Sequence, residues 1–382
     1  MPNKGAPVYL DCNATTPLEP EVEQEYLRFL REEFGNAGSR THEFGMRAKQ
    51  AVQRARNQVA AVIKCLSEEV IFTSGGTESN NIALLGLREF GERTGRRHLI
   101  ASAIEHKAVL EPLEHLAGRG FELTLVNPDT NGAVSAAKVA SALRPDTLLV
   151  SVMQVNNETG VIQPLGEIAK LIGTHPAYFH VDAAQGFGKR MADLQHPRLD
   201  LISISGHKIY APKGIGALVA RRRGYERPPL TPLTFGGGQE RGLRPGTLPV
   251  ALIAALGKAS ELAVRDEAKR RTDCENFKAA ALNVLTQVGG VPIGDQEQTV
   301  PSTLNISLPG LDSEAVMLAL KDWVAISNGS ACTSQSYSLS HVLTAMGLPE
   351  NQIRGALRLS WSHLTPEPDW TAVANAIYRL ML

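Results

Sequence analysis

Leu148-Leu149-Val150-Ser151-Val152-Met153-Gln154, then Leu165-Gly166-Glu167-Ile168-Ala169-Lys170-Leu171-Ile172, then Tyr178-Phe179-His180-Val181-Asp182 read as a buried strand, a helix and a second strand. The two strands are near-continuous apolar runs. Between them the apolar residues return at helical spacing. A strand–helix–strand unit of this kind places its two strands parallel in one sheet, with the helix covering a face. The same alternation extends upstream. Glu69 to Thr73 reads as a strand and Thr77 to Glu92 as a helix. His98 to Ser102 is a strand followed by a helical stretch from His106, and Phe121 to Val126 is a strand followed by a helix over Ser135 to Leu143. Downstream, Leu199 to Ser203 and Gly216 to Ala220 are further short apolar runs. The expected fold is α/β: a large domain with a mostly parallel sheet flanked by helices, plus a smaller α/β domain. In such sheets ligands sit beyond the carboxyl ends of the strands.

Outside this core, helices are expected from about Glu21 to Phe34, with Pro20 near the start and Gly35 past the end, and from Gly45 to Lys64. Thr231 to Thr247 is rich in Gly and Pro and reads as an ordered loop. One long helix from about Pro249 to Leu285 leads into the second domain, where a strand–helix pattern resumes from about Thr299 at smaller scale. A chain of 382 residues suits one large and one smaller domain.

Composition narrows the function. Formal net charge is zero, which argues against a protein whose main task is gripping nucleic acid. The run Arg221-Arg222-Arg223 is expected to be a solvated turn. No apolar stretch reaches the roughly 18 residues of a membrane span, and Met1 to Gly5 carries no apolar leader, so a cytoplasmic protein is expected. None of the four cysteines, Cys12, Cys65, Cys274 and Cys332, forms a CxxC pair; free thiols are expected, with no metal site.

Five segments carry chemistry. In Ser203-Ile204-Ser205-Gly206-His207-Lys208 a lysine follows directly on an apolar strand, where it suits Schiff-base chemistry with an aldehyde cofactor or is a surface lysine. In Phe179 to Gln185 the carboxylate of Asp182 ends a buried strand and needs a partner; a pyridinium nitrogen is one, and a helix N-terminus another. Thr73-Ser74-Gly75-Gly76-Thr77 brings glycines between a strand and a helix, where backbone N–H groups and the Thr77 hydroxyl suit a phosphate. No Gly-Lys-Ser/Thr follows, so it is not a P-loop. His106, in Glu105-His106-Lys107, suits stacking on an aromatic cofactor and proton transfer, or is structural. Ser327-Asn328-Gly329-Ser330-Ala331-Cys332-Thr333-Ser334 is small, polar and flexible, a better setting for a movable nucleophile than for a core cysteine.

In this order the segments resemble the cysteine desulfurases, the class V branch of the fold-type I pyridoxal-phosphate (PLP) enzymes. The resemblance runs from Tyr9-Leu10-Asp11 and Ala14-Thr15-Thr16-Pro17 to Arg354 through Trp361. It implies a fold-type I PLP transferase with a large PLP-binding domain over 16–260, and a small domain from 1–15 and 261–382 that carries the cysteine loop. It implies that Lys208 holds PLP as a Schiff base, Asp182 pairs with the pyridine nitrogen, Gln185 contacts the ring hydroxyl and His106 stacks on the ring. Gly76, Thr77, Ser205 and His207 would bind the phosphate, with Thr247 reaching it from the other subunit of a homodimer. Asn157 and Arg358 would hold the carboxylate of L-cysteine, with Asn36 beside them. Cys332 would receive the sulfur as a persulfide and pass it to a sulfur-acceptor protein.

The Gly-Ser-Ala-Cys-Thr-Ser segment resembles the long-loop type, which serves iron–sulfur cluster and tRNA-thiolation pathways. Asn36-Ala37-Gly38-Ser39-Arg40-Thr41-His42 departs from the commoner Asn-Pro-Ser-Ser-x-His and resembles desulfurases of DNA phosphorothioation. Gly76 stands where Ala is common in the family; backbone donors make that exchange minor. Cys12, Cys65 and Cys274 are expected bystanders. Two rival readings are a class V aminotransferase or selenocysteine lyase, which would not need Cys332 in such a loop, and a non-catalytic scaffold, which would have a damaged cofactor site. A third, a direct DNA-binding protein, conflicts with zero net charge.

Overall fold

The computed structural model describes residues 6–328 and 339–381. Its strands, in chain order, are β1 (Val8–Tyr9), β2 (Val70–Thr73), β3 (His98–Ser102), β4 (Glu122–Val126), β5 (Thr147–Ser151) and β6 (Tyr178–Asp182), followed by β7 (Leu201–Ser205), β8 (Gly216–Ala220), β9 (Val291–Pro292), β10 (Thr303–Ser307), β11 (Val324–Ala325) and β12 (Ala356–Ser360). Seven of them form one sheet in the order β2-β8-β7-β6-β5-β3-β4. All its pairings are parallel except those of β8, which runs antiparallel to both β2 and β7. Strands β2, β3, β5 and β7 are buried along their whole length, as expected of a sheet covered on both faces.

One face of the sheet is covered by the helices Glu43–Ile63 and Val250–Arg265, which pack closely on each other. Gly257 allows this: a Cβ there would lie 2.6 Å from Ala55 Cα. The helices Gly76–Leu85 and Lys107–Ala117 supply the core of the other face, with Ile82, Leu84, Val109 and Leu113 all buried. A second core lies in the C-terminal part, where β10 pairs antiparallel with β12 and β9. Leu10, just past β1, joins it, and Trp361 packs on Phe277 with centroids 4.8 Å apart. Strand β11 pairs parallel with β1, so the N-terminus closes against the C-terminal layer.

Three sequence expectations change. The helix expected from Thr77 to Glu92 is two, Gly76–Leu85 and Arg88–Thr94. The Gly86 carbonyl between them accepts from Thr231 N at 2.9 Å and Thr231 Oγ1 at 3.2 Å, which diverts it from the helical ladder. The long helix from Pro249 breaks at Asp266 into Val250–Arg265 and Glu267–Gln287, with Asp266 outside helical geometry (φ −108°, ψ 9°). The arginine run is not a solvated turn. Arg221 is buried and donates to the carbonyls of Ile63 at 2.9 Å, Leu194 at 2.8 Å and His196 at 3.0 Å. Arg223 bonds Asp200 at 2.7 Å and lies over the Tyr178 ring. Guanidinium groups here bond chain carbonyls from distant segments, which charge counting along a sequence does not reveal. No helix among the described residues is long and apolar enough to cross a membrane.

Candidate active site

The carboxyl ends of β2, β6 and β7 meet at one cavity of ≈390 Å³. After β2, the chain turns at Ser74-Gly75 into the helix Gly76–Leu85, which starts without any side-chain cap. Its first N–H groups therefore face the cavity with the positive end of the helix dipole. After β6, Asp182 is buried. Its Oδ2 accepts from Asn80 Nδ2 at 2.7 Å and its Oδ1 from Ala184 N at 2.9 Å. Strand β7 ends at Ser205, and the short turn Gly206–Lys208 follows. Lys208 Nζ donates to Ala14 O at 2.8 Å and to Asn13 O. The N-terminal segment that offers these carbonyls is held by Thr16, whose N and Oγ1 both donate to His207 O, at 3.0 and 3.1 Å. Thr16 Oγ1 in turn accepts from the N–H of Tyr210, a non-glycine residue at φ 69°. A bulky residue in the left-handed region carries strain, here just past the lysine.

Burial tunes the histidines. His106 caps the helix Lys107–Ala117: its Nδ1 accepts from Ala108 N at 3.1 Å, which leaves the proton of the neutral ring on Nε2. Burial holds its pKa below the usual histidine value; the nearby Asp182 charge opposes this and that of Lys208 adds to it. His207 is pushed down to about 4, by burial first and then by Lys208 and Lys213. Its Nδ1 lies 3.2 Å from Thr15 Oγ1. His180 is pushed to about 4 by burial and sits between Ser151 Oγ at 2.8 Å and Ser203 Oγ at 3.0 Å. Those two hydroxyls tie β5, β6 and β7 together through one neutral ring. Glu105, fully buried, is raised to about 8 by burial; it accepts from Met153 N at 2.7 Å and from Ser102 Oγ.

The far wall comes from the C-terminal layer. Arg358 on β12 is 1% exposed, pairs with Asp11 at 2.7 Å and donates to Asn157 O at 3.1 Å; its Nε has no partner among the described residues. Asn157 lines the cavity from the loop after β5. Arg358 also exchanges backbone hydrogen bonds with Ser327 at 2.6 and 3.2 Å. Ser340 Oγ donates to the buried Glu158 at 2.5 Å. Cys332, the expected nucleophile, lies outside the described residues.

The cavity thus gathers Gly76, Thr77, His106, Asn157, Asp182, Gln185, Ser205, His207, Lys208 and Arg358. Asn36 and Thr247 do not line it. They are exposed and share a separate depression of ≈340 Å³ with Phe34. Burial pushes the Cys65 and Cys274 thiols to about 12 and raises Cys12.

Sequence reading gave no role to Asn80 or to Asp11. Asn80 had a usable signal, since it lies four residues past Gly76 and so one turn along the same helix face. Asp11 had none, because its partner Arg358 is 347 residues away.

The residues present fit pyridoxal phosphate. The cavity offers an amine at Lys208 for its aldehyde, a buried carboxylate at Asp182 for its ring nitrogen, and an uncapped helix start with two hydroxyls for its phosphate. Two buried atoms at this site, Gln185 Oε1 and Asn80 Oδ1, have no hydrogen-bond partner among the described residues, as in a site shaped for a polar guest.

Comparison with known proteins agrees. Residues 8–369 match the family model described as aminotransferase class-V. Cysteine desulfurase IscS of Vibrio cholerae is 42% identical over 366 residues, which span 95% of this chain and 90% of that protein. The crystal structure of DndA from Streptomyces lividans superposes with a TM-score of 0.82 at 52% identity, covering 91% of this chain and 98% of that one. A NifS-like protein superposes with a TM-score of 0.88 at 34% identity, covering 98% of both chains. With lysine, aspartate and arginine converging on one cavity and relatives of this kind along nearly its whole length, the chain belongs to the cysteine desulfurases, PLP-dependent enzymes of the class-V aminotransferase family.

Proposed function

We propose that this desulfurase moves the sulfur of L-cysteine onto Cys332 as a persulfide and hands it to an acceptor protein, with DNA phosphorothioate modification as the destination. The observation that carries the site assignment is the meeting of Lys208, Asp182, His106 and Arg358 on one cavity.

In this reading Lys208 holds the cofactor, Asp182 pairs with its ring nitrogen and Gln185 faces its ring hydroxyl. Gly76, Thr77, Ser205 and His207 hold its phosphate, and His106 lies over its ring. Bound there, PLP supplies a carbonyl to capture the substrate amine and a ring to absorb the charge left at Cα. Asn80 keeps the Asp182 carboxylate aimed by donating to Oδ2. Arg358 Nε is the donor left for the substrate carboxylate, next to Asn157, while Asn36, outside this cavity, takes no part within the same chain. The amine of Lys208, once released from the cofactor, would take the α-proton. The Cys332 thiolate attacks the substrate sulfur: the S–S bond forms, the C–S bond breaks, and the carbon fragment takes a proton to leave as alanine. His106 delivers that proton from Nε2, the ring nitrogen that Ala108 N leaves free. The balance is L-cysteine plus Cys332 thiol giving L-alanine plus Cys332 persulfide.

A homodimer follows from the same reading. Asn36 and Thr247 are surface-exposed around an apolar depression, with Phe34 and Phe44 stacked beside it at 5.5 Å and both exposed. An exposed aromatic pair of this kind suits burial against a second copy, which would bring Thr247 to the partner's phosphate. A cytoplasmic location, where a free thiol stays reduced, and no direct contact with nucleic acid belong to this reading. The phosphorothioation destination draws on the Asn36–His42 variant and on the likeness to DndA; iron–sulfur assembly or tRNA thiolation is the alternative.

The test is alanine and sulfide production from L-cysteine with PLP and a reductant, in wild type and Cys332→Ala. Wild type should yield both products. The variant should yield neither while keeping its cofactor absorbance. Full sulfide release by the variant overturns the role of Cys332.

A further inference from the structure

The described residues enclose a second cavity beside the one just assigned. It is a cleft of ≈630 Å³ between the turn after β6, the residues following Lys208, the helix Glu267–Gln287 and the loop before β10. Its cations divide into two groups. Arg190, Arg270 and Arg271 each have a carboxylate partner: Asp193 at 3.1 Å, Glu19 at 2.9 Å and Glu275 at 3.7 Å. Lys189 and Lys278 have none among the described residues. Lys278 is 8% exposed, and the one hydrogen bond its amine makes is to the hydroxyl of Thr299. Nothing but burial acts on it, pushing its pKa down to about 8. Lys189 is lowered as well, and the groups that oppose this are the thiols of Cys12 and Cys274. Burial raises both thiols, so neither supplies a counter-charge at neutral pH.

Two more polar atoms at this cleft lack partners. Ser302 Oγ, on a residue 5% exposed, and Gln296 Oε1 are both buried with no hydrogen bond. Placing an amine where burial opposes its charge is costly unless an anion or a set of acceptors joins it. Here two amines and a free hydroxyl border one open cavity, and the carboxylates Glu267 and Glu297 stay exposed at its rim.

We propose that this cleft is a second ligand site, which takes a small oxyanion, carboxylate or phosphate, on Lys189, Lys278 and Ser302. Its walls include Ile209 and Tyr210, directly after Lys208, so an occupant would rest against the segment that carries the cofactor lysine.

The experiment is calorimetric titration of the PLP-loaded enzyme with inorganic phosphate and, separately, with malonate, at constant ionic strength in chloride. Binding of either should be saturable and should weaken at least tenfold in Lys278→Met and in Lys189→Met, with the cofactor absorbance unchanged. Phosphate alone, or malonate alone, identifies which oxyanion the site takes. Lys278→Met should keep or raise the melting temperature, because an apolar side chain of similar size replaces an unpaired buried amine. No saturable binding of either anion, or binding that both variants leave intact, overturns the proposal. A Lys278→Met enzyme that melts well below wild type overturns it too, since the lysine would then be structural.

Discussion

At Asp182 the chain leaves a carboxylate at the buried end of β6 and holds it with one side-chain donor, Asn80 Nδ2 at 2.7 Å, and one backbone donor. Hydrogen bonds to buried charged groups are worth about 1.5–3 kcal/mol, or roughly tenfold to a hundredfold in a rate that depends on them. Asn80→Ala is therefore expected to lower kcat by about that factor while the protein still takes up PLP, checked by steady-state kinetics beside the cofactor spectrum. An unchanged kcat would show that Asp182 needs no help. Glu105 gives a pH prediction. Its folded pKa of about 8 stands above the ordinary carboxyl value of 4.5, so the folded state binds the extra proton between those limits. Stability is then greatest at the acid end of this window and falls as pH rises through it, by on the order of a few kcal/mol. Glu105→Gln keeps the shape without the titration and should flatten the slope of urea-unfolding free energy between pH 5 and 8. A slope equal to that of wild type would mean that Glu105 is ionised in the fold.

The elements show where glycine is dispensable and where it is not. A Cβ at Gly76 would lie 3.4 Å from Ser205 Cβ, an ordinary contact, and the residue opens a helix. Gly76→Ala is expected to leave PLP affinity within about threefold and to add roughly 0.4–1 kcal/mol of stability. At Gly216, the first residue of β8, a Cβ would lie 2.4 Å from Ile204 O and 2.6 Å from Gly75 Cα. There the antiparallel strand presses on the turn that opens the phosphate-facing helix. Gly216→Ala should push that turn aside and weaken PLP binding at least tenfold, read by equilibrium dialysis of the cofactor. Equal affinity in both variants would show that the turn is not rigidly set by β8.

The whole molecule carries a prediction about subunits. Asn36 and Thr247 lie outside the cavity of their own chain, around an exposed aromatic pair. Sedimentation should give twice the mass of the chain. Thr247→Asp should weaken PLP binding at least tenfold through like charge against the phosphate. Mixing inactive Lys208→Ala with Thr247→Asp chains under conditions of subunit exchange should restore activity, because one site of each hybrid is then intact. A monomer in sedimentation, or no recovery in exchanged hybrids, removes the shared site. With zero net charge, the isolated protein should show no tight, salt-sensitive binding to DNA in fluorescence anisotropy.

Much of this protein is local in origin, and that part was readable along the chain. The mostly parallel sheet follows from apolar strands alternating with helical spacing. The cavity residues Gly76, His106 and Lys208 each follow their own strand by a few positions, and Asp182 ends β6. What the sequence did not yield depends on contacts between distant segments. Gly86 breaks a helix because Thr231 reaches its carbonyl; Arg221 is buried because Ile63 and Leu194 offer carbonyls to it. Asp11 finds Arg358 only when β1 and β12 are brought to one layer. The unpaired amines of Lys189 and Lys278 belong to this class as well. Sequence spacing reports which face of an element a residue occupies, and only tertiary packing decides which charges are left without partners.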